Sequence, residues 1–136
     1  MIKSLLCLTL LFTSTSLATE RIEQVIINGD SMMPLLKNKQ EVRVDLNYYE
    51  ENSVQHLDVV VFEIPGRKNR IVKRVYGIPG DRYEYKNSHL YINKKILKNS
   101  SGEEFKISSK MLTLFAESYP IIPAESYLVL GDRPTG

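Results

Sequence analysis

Apolar and polar residues alternate in short runs along most of this chain, and Asn, Gly, Asp and Pro separate the runs. A period of two marks half-buried β-strands rather than helices. Glu41-Val42-Arg43-Val44-Asp45 alternates strictly, and residues 22–28 read as a strand leading into a turn at Asn28-Gly29-Asp30. Residues 58–64 form a continuous apolar strand that Pro65-Gly66 stops, with a basic turn from Arg67 to Arg70 after it. That arrangement predicts a hairpin between 58–64 and 70–76. In the second arm Ile71, Lys73 and Val75 share one face, and Val72, Arg74 and Tyr76 the other.

Gly77-Ile78-Pro79-Gly80-Asp81 ends that arm with a turn. Tyr83 to Tyr85 and Leu90 to Ile92 are expected to pair across Lys86 to His89, with Lys94 to Leu97 continuing the ribbon. Leu46 to Gln55 reads as a loop, and residues 98–110 as a polar excursion. Met111 to Tyr119 fits a short strand or a helix, and the pattern leaves both open. A last strand runs from Tyr127 to Leu130, closed by Gly131-Asp132-Arg133-Pro134. The expectation is one mostly-β domain.

The N-terminus differs in kind. Lys3, the apolar run Leu5 to Phe12 and the small-residue stretch ending Ser16-Leu17-Ala18 have the layout of a secretory signal peptide cleaved after Ala18. The competing reading is an uncleaved short membrane anchor over Ile2 to Leu17, below the ~20 apolar residues of a comfortable span. Residues 1–18 are thus a leader or anchor, and 19–136 the domain. Either way the domain is expected outside the cytoplasm, in the periplasm or on the outer face of the cytoplasmic membrane. Cys7, the sole cysteine, falls in this leader, so no disulfide is expected in the domain. His56 and His89 look isolated, and no metal site or cofactor is expected. A net charge of +2 with 25% charged residues, and no basic cluster, argues against a nucleic-acid partner.

Two residues stand out for chemistry. Asn28-Gly29-Asp30-Ser31-Met32-Met33-Pro34 presents Ser31 on a constrained turn, and Pro34 keeps a helix from running through it. A serine needs a base. Lys73 emerges between the β-branched Ile71 and Val75 on an apolar strand face. A free lysine is neutral in only about one molecule in ~2,500 at pH 7, but desolvation disfavours the ammonium and lowers that barrier. A neutral amine near Ser31 could take its proton, and the Ser31 N–H could donate to an oxyanion. The alternative for a strand lysine is a snorkelling or edge position. Met32, Met33, Leu35 and Leu36 beside the serine fit ordinary packing or an apolar surface meeting substrate or bilayer.

Four segments resemble the type I signal peptidase family, including its conjugative pilin-processing relatives. Gly29-Asp30-Ser31-Met32-Met33-Pro34 looks like its nucleophile box. Asp58-Val59-Val60-Val61-Phe62 is similar to its Asp-Val-Val strand, although Leu57 stands where a glycine is usual. Lys73-Arg74-Val75-Tyr76-Gly77-Ile78-Pro79-Gly80-Asp81 resembles the lysine box and is the most specific match. Tyr127 to Asp132 resembles the strand before the last box.

The resemblance implies coiled antiparallel β-sheets in a minimal catalytic core, given the short span from Asp81 to Gly131. It implies Ser31 as nucleophile and Lys73 as general base. Ser31, Met32 and Gly29 then fall in the oxyanion and substrate-binding region, with Gly29 where some members carry an oxyanion-hole serine. It implies cleavage of signal-peptide-bearing or pilin-like precursors after small residues at −1 and −3, at the membrane surface. The Ser and Asp that hold the lysine after Gly-Asp-Asn in the family have no counterpart before Gly136. That leaves a second expectation: a truncated or catalytically impaired relative that binds peptides or joins a secretion apparatus. A self-cleaving transcriptional regulator also uses Ser and Lys, but the export signal and the lack of a DNA-binding segment argue against it.

Overall fold

Strand pairing is antiparallel throughout residues 21–133, the part that the computed structural model describes. The leader or anchor expected over 1–18 lies outside the described residues. β1 (Ile22–Ile26) pairs with β2 (Glu41–Asp45) in a two-stranded ribbon. Beyond its end Ile27 still donates to the Gln40 carbonyl and accepts from the Lys39 N–H, so the pairing runs on toward the serine turn. The loop expected over 46–55 contains a single helical turn, α1 (Tyr48–Glu51). No apolar period signals so short an element.

β3 (Val59–Phe62) and β4 (Ile71–Gly77) form the expected hairpin, in the register Val60↔Lys73 and Phe62↔Ile71. β8 (Leu128–Leu130) pairs with the other edge of β4, which makes β4 the central strand. Its central place explains why Val75 and Tyr76, on opposite faces, are both buried. β5 (Tyr83–Lys86), β6 (His89–Ile92) and β7 (Lys95–Ile96) form a second three-stranded sheet. Its two-residue turns, Asn87-Ser88 and Asn93-Lys94, have positive φ at both positions. Turns of that hand match the right-handed twist of the strands, and Asn tolerates the left-handed conformation.

The core joins the two sheets through Tyr76, Tyr83, Leu90, Ile92, Phe105 and Ile122. Phe105 comes from the stretch read as a polar excursion; a single aromatic in a polar run carries no period. It packs edge-on against Tyr76, ring centroids 5.1 Å apart. α2 (Lys110–Ser118) settles the ambiguous segment as a helix. The Ser109 hydroxyl caps it by accepting from the Leu112 N–H, while Leu112 and Ala116, four apart, pack on the core. The histidines are not isolated: His56 Nε2 lies 2.6 Å from Asp81 Oδ2, and His89 Nε2 3.5 Å from Glu104 Oε2. Those carboxylates are too far along the chain for a spacing rule to find. Among the described residues no helix is long and apolar enough to cross a membrane.

Arg74 and Asp132 tie β4 to the segment that follows β8. The Arg74 guanidinium donates to both Asp132 oxygens at 2.8 Å, and Asp132 is fully buried. Tyr76 Oη, 3.4 Å away, and Ser100 Oγ, 3.1 Å away, also donate to that carboxylate. Burial by itself raises the Asp132 pKa. The bonds from Arg74 and Ser100 outweigh it, and the net result lies below the ordinary 3.8.

A depressed folded-state pKa contributes stability that is present above the unfolded value and lost as pH falls through the folded one. Wild-type stability should therefore drop as pH falls below about 4. Asp132→Asn, which leaves Arg74 without its anion, should cost about 3–5 kcal/mol at neutral pH, a gap that narrows under acid. Urea midpoints of both proteins across pH 2 to 7 measure this; a gap constant with pH would contradict it.

Candidate active site

The serine turn is built by local hydrogen bonds. Met33 N–H donates to the Asp30 carbonyl at 3.1 Å, and Leu36 N–H to the Met32 carbonyl at 2.9 Å. Gly29 opens the turn at φ +95°, a conformation L side chains rarely adopt, and its N–H is taken by Asn38 Oδ1 at 3.0 Å. Met32 is buried and pins the turn to the body, while Met33 and Leu36 are half-buried and Leu35 stays 47% exposed. Ser31, between the anchored methionine and the left-handed bend at Gly29, is exposed. Among the described residues its N–H has no hydrogen-bond partner.

Lys73 reaches this serine from the middle of β4. Its Nζ lies 2.8 Å from Ser31 Oγ, across 42 positions of sequence. Partial burial of the amine lowers its pKa from the ordinary 10.5, because desolvation disfavours the ammonium. Among the described residues Lys73 makes no ion pair that would counter this.

The next residue, Arg74, points to the opposite face and binds Asp132. The adjacent side chains of β4 therefore do different things: one meets the serine, the other holds the chain that packs on it. That chain is close. A Cβ built on Gly131 would sit 2.3 Å from the Ser31 carbonyl oxygen, and the Arg133 N–H donates to the same oxygen at 3.1 Å. Only glycine lets the backbones approach so closely. The Gly131-Asp132 pair was visible in the sequence as the end of a strand, but its packing on Ser31 was not.

Leu57 shows the opposite, a residue ill-suited to its backbone. It has φ +70°, a costly conformation for leucine, at the position where the resemblance leads one to expect glycine. Its N–H donates to the Val75 carbonyl and its carbonyl accepts from Arg74 Nη1, so both ends hold it against β4.

A cleft of about 340 Å3 opens beside Ser31. Val25, Ile27 and Met32 line one wall, and Arg67, Asn69 and Ile71 contribute to the other. Gly29 and Ser31 also line it, so the sequence-predicted residues Ser31, Met32 and Gly29 share one cleft. Lys73 joins them through its contact with the serine. Among the described residues no group of three or more His, Cys, Asp or Glu side chains could hold a metal ion.

Comparison with known proteins gives the family of the chain. The family described as "Signal peptidase, peptidase S26" matches residues 1–135. Signal peptidase IB of Staphylococcus aureus (strain Mu50 / ATCC 700699) is 37% identical over 118 residues, covering 79% of this chain and 61% of the relative. Signal peptidase I U of Bacillus subtilis (strain 168) is 29% identical over 137 residues, covering 97% of this chain and 73% of the relative. The chain thus spans about three fifths of the length of the staphylococcal relative it matches. With the match running over nearly all of its length, the chain belongs to the signal peptidase family, peptidase S26.

Proposed function

We propose that this protein is a serine endopeptidase that removes signal peptides from exported precursors, with Ser31 as nucleophile and Lys73 as general base. The observation that carries this reading is the 2.8 Å contact between Lys73 Nζ and Ser31 Oγ. In the reacting form the amine is neutral and accepts the serine proton as Oγ attacks the scissile carbonyl. The Ser31 N–H donates to the oxyanion, and Gly29 brings no side-chain donor of its own. As the tetrahedral intermediate collapses, the Lys73 ammonium returns its proton to the leaving amine. Water, deprotonated by the same lysine, then releases the acyl group from Ser31.

The cleft beside Ser31 receives the precursor, and its modest volume suits small residues before the cut. Its substrates are signal-peptide-bearing or pilin-like precursors. Exposed Leu35 next to the nucleophile, with Ile26 at the end of β1, supplies an apolar surface toward the membrane outside the cytoplasm, where such precursors emerge.

Ser31→Ala and Lys73→Ala should each lower precursor cleavage by ~10⁴-fold or more, since neither member acts without the other. Processing at the wild-type rate in either variant would sink the assignment. The pH profile gives a second check: kcat/KM should rise as Lys73 loses its proton, with a midpoint below 10.5. A limb at the position of an unperturbed lysine would contradict a desolvated base. Gly131→Ala, whose Cβ meets the Ser31 carbonyl oxygen, should reduce cleavage by ~10-fold or more through displacement of the serine. Steady-state rates on a precursor peptide measure that loss.

A further inference from the structure

The turn between Leu97 and Phe105 reaches over to the segment that packs on Ser31. Phe105 N–H donates to the Leu97 carbonyl, Lys98 bridges to Glu104, and Asn99 N–H donates to the Glu103 carbonyl, closing a small ribbon. Asn99 is buried, with both ends of its amide in use. Its Oδ1 accepts the N–H groups of Ser101 at 3.0 Å and Glu103 at 2.8 Å, which shapes the turn. Its Nδ2 donates to Glu103 Oε2 at 3.0 Å and to the Asp132 backbone carbonyl at 2.8 Å. Ser100 Oγ, the next residue, donates to the Asp132 carboxylate.

We infer that Asn99 is a positioning residue for the proteolytic reaction: through the Asp132 carbonyl it holds Gly131 and Arg133 against the Ser31 carbonyl and so sets where the serine hydroxyl lies. Asn99 touches neither Ser31 nor Lys73. Its influence runs through one backbone unit, whose glycine neighbour is in close contact with the Ser31 carbonyl and whose arginine neighbour donates to it. Arg74 holds the side chain of Asp132, and Asn99 holds its main chain. One grip comes from β4 and the other from the turn after β7, so the segment that follows the β5–β7 sheet takes part in aligning the dyad instead of only covering the core.

The buried amide is suited to this. Its acceptor end is spent inside its own turn, and its donor end reaches a carbonyl that would otherwise be buried beside a buried carboxylate. An aspartate could still shape the turn through its oxygens but, when ionised, would present an anion to that carbonyl and to Glu103. Asn99→Asp therefore separates the two jobs of the residue.

The inference rests on the reading of Ser31 and Lys73 as the reacting pair, and two readouts keep the ideas apart. In the full-length protein, Asn99→Asp should lower kcat by ~10-fold or more while KM changes less than about twofold. The loss relative to wild type should shrink as pH falls and the new carboxyl regains a proton to donate. Amide hydrogen exchange followed by NMR supplies the readout that needs no catalysis. The Arg133 N–H, bonded to the Ser31 carbonyl, should exchange at least ~10-fold faster in Asn99→Asp.

Unchanged Arg133 exchange, or a wild-type kcat, overturns the positioning role. A wild-type protein that cleaves no precursor overturns the proteolytic reading, while the exchange measurement still decides whether Asn99 holds Arg133. Should Asn99→Asp fail to fold, Asn99→Ser, which keeps a small polar group in the turn but is too short to reach the Asp132 carbonyl, carries the test. A several-fold fall in kcat with unchanged KM is then expected, and wild-type kinetics together with wild-type Arg133 exchange would refute the idea.

Discussion

The buried pair of Arg74 and Asp132 is the constraint on which the rest of this structure depends. A carboxylate with no solvent exposure is tolerable only when its charge is matched and its lone pairs are filled. Here a bidentate guanidinium, a phenol and a serine hydroxyl do both. Because those donors come from β4 and from the turn after β7, satisfying one carboxylate fixes the end of β8 against two separate parts of the chain. Leaving out Arg74 would leave a buried charge uncompensated, and leaving out Tyr76 or Ser100 would leave one of its lone pairs unfilled.

That fixed end is what Ser31 leans on. The serine turn is short and exposed, and its own hydrogen bonds do not say where its hydroxyl should lie relative to β4. Met32 anchors it from below, and the Gly131–Arg133 backbone meets its carbonyl from the side. Lys73 then arrives from the strand whose next residue is Arg74. Alternation along one strand thereby couples the half-buried amine to the structural pair on the opposite face.

Much of the fold was legible in advance. Strict alternation in residues 41–45 and the apolar run before Pro65-Gly66 mark strands because a half-buried or central strand leaves a period in its own residues. The turn at Asn87-Ser88 falls inside the connection expected from Lys86 to His89, whereas Lys94, expected in the continuing strand, sits in a turn of its own with Asn93. Phe105 could not be read in advance, nor could the helical turn at Tyr48–Glu51, since one apolar residue or four positions carry no periodic signal. The carboxylate partners of His56 and His89 escaped notice for a different cause. They are brought close by sheet packing, not by spacing.

The sequence by itself determined the mostly-β character, the turn that exposes Ser31, the apolar strand that carries Lys73, and the family motifs around both. These are properties of local backbone preference and of period, which neighbouring residues encode. Only the tertiary structure decided that Lys73 Nζ meets Ser31 Oγ, that Gly131 must be small, and that Asn99 and Ser100 reach Asp132. Each of those contacts joins residues more than thirty positions apart. Their meeting depends on which strands pair and how two sheets pack, and no local pattern records that.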